Sequence, residues 1–166
     1  MENIKHLYEI PAHQATRLLT KRSFASLSTT SSEGRSHGAG VLYAYLDGTF
    51  YIHTMRSSRK ARNIATNGRA ALCVPIRRLP VGPPSSIQFQ GAAELLDLDD
   101  PEILSLVTAG RLKSLTSHGE LEEADGCFVR ITPGKRMLTY GLGMSLRRLI
   151  ADPIHAAGIV QGSVAA

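Results

Sequence analysis

The feature that most constrains this chain is a run of short β-type segments joined by turns too tight to carry crossover helices. Ser23 to Thr30 alternates with period two, as a half-buried strand does. A turn around Glu33-Gly34 leads to a second strand, Ala39 to Leu46. Asp47-Gly48 between apolar runs is a two-residue hairpin signal, and Thr49 to Met55 returns as a third strand. Arg69 to Ile76 is mostly apolar and therefore a well-buried fourth strand. After a proline-rich loop from Arg77 to Ser86 comes a fifth, Ile87 to Leu96, where Gly91 marks a bulge or a close backbone approach. Cys127 to Ile131 is a sixth strand and Arg136 to Tyr140 a candidate seventh. Consecutive antiparallel strands with few helices predict a barrel or sandwich rather than a doubly wound sheet.

Helical patterns flank this β run. Ile10 to Arg22 reads as a leading helix, and Asp99 or Asp100 caps another with Pro101 at its first position. Ser145 to Ile150 is a short helical pattern stopped by Asp152-Pro153, and the Gly- and Ala-rich end beyond is expected to fray. One helix breaks the electrostatic rules. It follows the third strand, with Ser57 or Ser58 as cap, Ala61, Ile64 and Ala65 on one face and Asn67-Gly68 as a stop. Arg59, Lys60 and Arg62 crowd its first turn, where the helix dipole favours negative charge. A bound phosphate would engage the free amides, the dipole and the cations together; a solvated basic face is the alternative.

At 166 residues the chain is expected to form a single domain, with a core at about 10–140 and a tail at 141–166. Its 43% hydrophobic and 20% charged residues exclude a disordered chain. No apolar run approaches the ~20 residues that span a bilayer. The polar start, Met1 to His6, is not a signal peptide, so a cytoplasmic location without membrane contact is expected. The net charge of +5 points to an acidic partner, but the cations fall in small separate groups and only 5% of residues are aromatic. That leaves little stacking platform for single strands, and no nucleic-acid partner is expected.

The six histidines show no metal-ligand spacing and neither Cys73 nor Cys127 has a partner nearby in sequence, so no metal is expected. Gly141-Leu142-Gly143 lacks the rest of a nucleotide fingerprint. No nucleophile elbow, phosphate loop or general acid–base pair is evident. Chemistry in such a chain falls to a cofactor, with the protein supplying position and electrostatics.

The run from Phe50 to Val74, with Ser58-Arg59-Lys60-Ala61-Arg62-Asn63-Ile64 and then Asn67-Gly68-Arg69-Ala70-Ala71-Leu72, resembles the flavin-binding split barrels of the pyridoxamine 5′-phosphate oxidase-like superfamily. The order of elements from Ser23 to about Ile131 is similar too. The resemblance implies a mainly β fold, a six-stranded antiparallel split β-barrel that dimerises with the cofactor at the subunit interface. It implies Arg59 and Lys60 as the phosphate-binding pair, His53 and Thr54 as flavin contacts beside Ser58, and Ser86 where the true oxidases keep a glutamine. Arg62 and Asn63 match positions of the reductase branch. The oxidases' second-strand arginine and lysine are replaced by Gly38 and Tyr43, and their C-terminal arginine-histidine motif has no counterpart. The implied activity is hydride transfer between FMN or the deazaflavin coenzyme F420 and a small unsaturated organic substrate. Arg77 and Arg78 would suit the polyglutamate tail of F420, towards which the balance tilts. Val41, Tyr43 and Ile52 would form an apolar wall, with Tyr43 or His53 as candidate proton donors. A non-catalytic flavin- or haem-binding split barrel is the alternative.

Overall fold

In the computed structural model, residues 7–162 are described; the start read as lacking a leader, His6 included, lies outside them, as do residues 163–166. The expected hairpin is present: β4 (Ala44–Leu46) pairs with β5 (Thr49–Met55) across Asp47 and Gly48, whose φ values of 50° and 84° are those of the turn that matches strand twist. β2 (Phe24–Thr30) pairs antiparallel with β3 (Ser36–Leu42) and with β6 (Arg69–Ile76). β6 pairs with β7 (Ser85–Leu96), which pairs with β8 (Gly126–Tyr140), and β8 pairs with β5. β3 and β4 are one run bent at Tyr43, so the sheet curls round without a ladder between β3 and β5. The mainly β, split-barrel class expected from the sequence is what the chain adopts.

The strand inventory differs in four places. The second predicted strand breaks at Tyr43, because that residue turns inward and its amide bonds Ser23 O at 2.8 Å. The sixth and seventh predicted strands are one, β8, 15 residues long. Pro133 and Gly134 look like a break, but a bulge absorbs them: Phe89 faces Met137 while Gly91 faces Pro133. The leading segment opens as β1 (Tyr8–Pro11) before α1 (Ala12–Thr20), and the end expected to fray contains β9 (Ala157–Gln161). β9 lies antiparallel to β8 and parallel to β1, a long-range pairing that leaves no local trace in sequence.

Alternation puts Phe50 and Ile52 of β5, Leu72 and Val74 of β6 and Val129 and Ile131 of β8 in one barrel core. Each such side chain contributes roughly 1.5–3 kcal/mol by burial. The Phe50 ring is central, 4.6–5.1 Å from the rings of Tyr45, Phe89 and Tyr43. Outside the barrel, Tyr51, Leu96 and Phe128 are covered by Ile103 of α3 (Pro101–Thr108) and by Leu112 and Leu115 after it. The opposite outer face, across β3, β2, β6 and β7, carries no such cover and presents small residues: Gly38, Gly40, Ser26, Ser28, Ala71 and Cys73.

Candidate functional site

The cation-loaded helix is α2 (Arg59–Asn67), set at the end of β5. Ser58 caps it: Oγ accepts from Ala61 N at 3.3 Å, and Ser58 O accepts from Arg62 N at 3.1 Å. The amides of Arg59 and Lys60 remain as open donors of the first turn. The Thr54 hydroxyl lies 3.3 Å from Ser58 Oγ, so a hydroxyl pair sits beneath the helix start. One carboxylate is already near: Asp125 accepts from Ser57 N at 3.1 Å and from Ser57 Oγ at 2.5 Å, which holds its carboxyl below the usual range. Asp97 pairs with Arg56. Among the described residues no ion pair reaches Arg59, Lys60 or Arg62. The excess positive charge read from the sequence is therefore not neutralised by an ion pair among the described residues.

The other predicted residues are dispersed. Asn63 is buried and its Nδ2 donates to Thr29 Oγ1 at 3.0 Å, tying α2 to β2. His53 lies on the opposite side of β5 from Thr54; its ring meets Phe128 edge-on at 5.4 Å. Its Nε2 is buried against Gly126 without a partner, and burial pushes its pKa down against the pull of Glu120 and Glu123. Tyr43 is 1% exposed and donates to Leu19 O at 2.8 Å, and burial raises its pKa. It is a core residue, and no open surface reaches its hydroxyl. Val41 and Ile52 likewise pack inside the barrel rather than walling a cleft, because the inward side of each strand is already filled. Ser86 is half-buried at the start of β7, opposite Pro75 and Tyr140. Arg78 donates to Met144 O at 2.7 Å and to Gly141 O at 2.5 Å, so its guanidinium anchors the segment after β8 and is not free for a cofactor tail.

The open cavities lie elsewhere, on the uncovered sheet face. One, of about 1010 Å³, runs from the β2–β3 turn past Asn67 and Arg69 to Gln90. A second, of about 750 Å³, runs from Cys73 and Gln88 to Lys135 and Arg136. They share Ser28, Ala71 and Gln90 and so form one groove. Sequence reading missed Lys135 and Arg136; the available signal was Pro133-Gly134 inside a β pattern, the mark of a bulge. No group of three His, Cys, Asp or Glu side chains among the described residues is placed to hold a metal. No described helix is long and apolar enough to cross a membrane.

Residues 11–133 match the sequence model of the pyridoxamine 5′-phosphate oxidase family. No curated protein matches the chain by sequence. Among solved structures, the heme storage protein HutZ of Vibrio cholerae is 14% identical, with a TM-score of 0.69 over 81% of this chain and 98% of that one. A FAD-binding protein of Mesorhizobium loti is 24% identical, with a TM-score of 0.61 over 75% and 88%. An F420 reductase is 18% identical, with a TM-score of 0.55 over 71% and 91%. At these identities the likeness is one of fold.

Proposed function

The chain belongs to the pyridoxamine 5′-phosphate oxidase family, and from that premise we propose that it is a flavin- or deazaflavin-dependent reductase. The observation that carries the reading is the start of α2, which brings Arg59, Lys60 and Arg62, two open amides and the Thr54–Ser58 hydroxyls onto one turn, with no carboxylate among the described residues paired to any of the cations. Those groups fit the phosphate of FMN or F420. When bound, such a cofactor supplies hydride to a small unsaturated organic acceptor. The chain would hold the phosphate through Lys60 and Arg59, with Arg62 and Ser58 beside them. Tyr43 is engaged with Leu19 inside the barrel and His53 lies on the far side of β5 from Thr54, so a proton for the product would come from solvent. Gly38 on β3 and Tyr43 at the bend after it offer no cations, which speaks against pyridoxamine phosphate as substrate. With Arg78 bonded to Met144 and Gly141, the argument from its charge for F420 over FMN falls away. The uncovered small-residue face suits a second copy, giving a cytoplasmic homodimer with the cofactor and Ser86 near the interface.

Titrating the protein with FMN and with F420, followed by fluorescence, tests the reading. Lys60→Ala should weaken the bound one by about 1.5–3 kcal/mol, some 10- to 150-fold; unchanged affinity would move the phosphate away from α2. A non-catalytic haem- or flavin-binding barrel is the second reading, favoured by the fold shared with the heme storage protein. Sustained turnover with an artificial acceptor separates the two.

A further inference from the structure

Two adjacent serines precede α2, and either residue type caps a helix well. The fold uses Ser58, whose backbone is extended (φ −67°, ψ 150°) and whose Oγ accepts from Ala61 N at 3.3 Å. Ser57 is kept from the same role by Asp125, 68 residues away in sequence. The last ladder pair of β5 and β8 is Met55 with Gly126, and Asp125 stands one step beyond it. Its carbonyl accepts from Arg56 N at 2.8 Å, which continues the strand pairing into the turn. Its carboxylate then takes both polar groups of Ser57, the amide at 3.1 Å and the hydroxyl at 2.5 Å. An ionised carboxylate only accepts, so the Ser57 hydroxyl donates to it.

The choice of cap decides which amides stay open. With Ser58 as cap, its hydroxyl takes Ala61 N and leaves the amides of Arg59 and Lys60 as donors. With Ser57 as cap the helix would begin one residue earlier. A cap oxygen accepts from the second or third helical amide, which would then be that of Arg59 or Lys60. Ser58 would enter the helix, and its hydroxyl would leave Thr54 Oγ1, now 3.3 Å away. A carboxylate bonded to the residue before the cap also repels an anion at the helix start, a cost that its hold on Ser57 offsets.

We propose that Asp125 is a positioning residue of the α2 phosphate site. By occupying Ser57 it fixes Ser58 as the cap, and so leaves the Arg59 and Lys60 amides free for the phosphate. The role presupposes that a cofactor phosphate sits at α2.

The first measurement needs no cofactor: backbone chemical shifts of the intact chain show which serine is extended and which is helical. In Asp125→Ala the extended cap should move from Ser58 to Ser57; a cap that stays at Ser58 overturns the proposal. The second compares affinity for FMN with that for riboflavin, or for F420 with that for its phosphate-free deazaflavin, whichever pair binds. Asp125→Ala should weaken the phosphorylated form by about fivefold or more, as for a competent helix start populated at a fifth or less. The phosphate-free form should change by less than about twofold on the same reasoning. Asp125→Asn keeps an acceptor oxygen for Ser57 and should retain the parent's affinity. Ser57→Ala/Asp125→Ala has no competing cap and should recover it. Equal losses for both forms, or no recovery in the double variant, reduce Asp125 to a structural role and refute the positioning. Asp125→Ser, whose side chain stops short of Ser57, gives the same readings if Asp125→Ala does not fold. Lys60→Ala separates the two ideas. If it leaves the phosphorylated form unaffected, the phosphate is not at α2; if it weakens that form while Asp125→Ala does not, the phosphate stays and the positioning role fails.

Discussion

Gly91→Ala probes the bulge on which the groove depends. In an ordinary strand position this substitution would stabilise by about 0.5–1 kcal/mol, because glycine loses more backbone freedom on folding. Here the added methyl would stand 2.2 Å from Thr132 O, 2.9 Å from Thr132 C and 3.1 Å from Pro133 Cα, all backbone atoms that no rotamer change can move. Relief requires β7 and β8 to part by roughly 1 Å, and neither strand is free to move. Along the edge away from β7, β8 is tied to β5 at one end and to β9 at the other, and β7 is tied to β6. Overpacking of this kind costs about 1–3 kcal/mol, and one or two stretched ladder bonds add about 1 kcal/mol each. Set against the entropic gain, the net destabilisation is about 1–4.5 kcal/mol. For a chain of this length that lowers the melting temperature by roughly 2–18 °C, readable by circular dichroism. Gly38→Ala is the control: a Cβ there meets nothing within 4 Å, and its backbone φ is not in the left-handed region. If Gly91→Ala melts within 2 °C of the parent, the close approach is not a constraint and the bulge has another cause.

His53 links stability to pH. Its folded pKa lies below the ordinary ~6.5 because it is buried, so the unfolded chain binds the extra proton first. Stability is therefore full above about pH 6.5 and declines as pH falls towards the folded value. His53→Gln should flatten the melting temperature between pH 7 and 5; an unchanged slope assigns the acid sensitivity to other groups. Tyr43→Phe removes the bond to Leu19 O and should cost about 1 kcal/mol in denaturant unfolding while leaving turnover intact. A hundredfold fall in turnover would restore the phenol as proton donor. Asn63→Ala leaves Thr29 without its partner in a buried site and should cost about 1–3 kcal/mol, with cofactor affinity within threefold of the parent. A loss of affinity without loss of stability would place the amide at the cofactor instead.

What could be read from the sequence was what short range determines. The Asp47-Gly48 turn, the Ser58 cap, the Asp100 cap with Pro101 and the stop at Gly68 each rest on a local backbone demand that few residue types meet. The period-two patterns of β2, β6 and β7 report a barrel interior on one side only. Which side each site residue takes was another matter. Tyr43, Asn63 and His53 look alike in sequence as polar groups near a basic helix. Their separation into core, helix anchor and buried orphan follows from strand direction and the α3 cover, both set by contacts across the chain.

The residues that misled the strand reading are also those that shape the open groove. Pro133 cannot donate to a ladder and Gly134 weakens one, so a local reading ends the strand before them and starts another at Arg136. In the fold the same pair lets β8 continue with a bulge, and the continuation joins three things that sequence kept apart. The N-terminal half of β8 closes the barrel against β5, its C-terminal half receives β9, and the bulge between them turns Lys135 and Arg136 onto the groove. That the family match ends at Pro133 sets the α2 cluster within the shared part of the fold and the bulge cations beyond it. The two groups of cations therefore rest on different backbone features, one on a helix start and the other on a strand bulge.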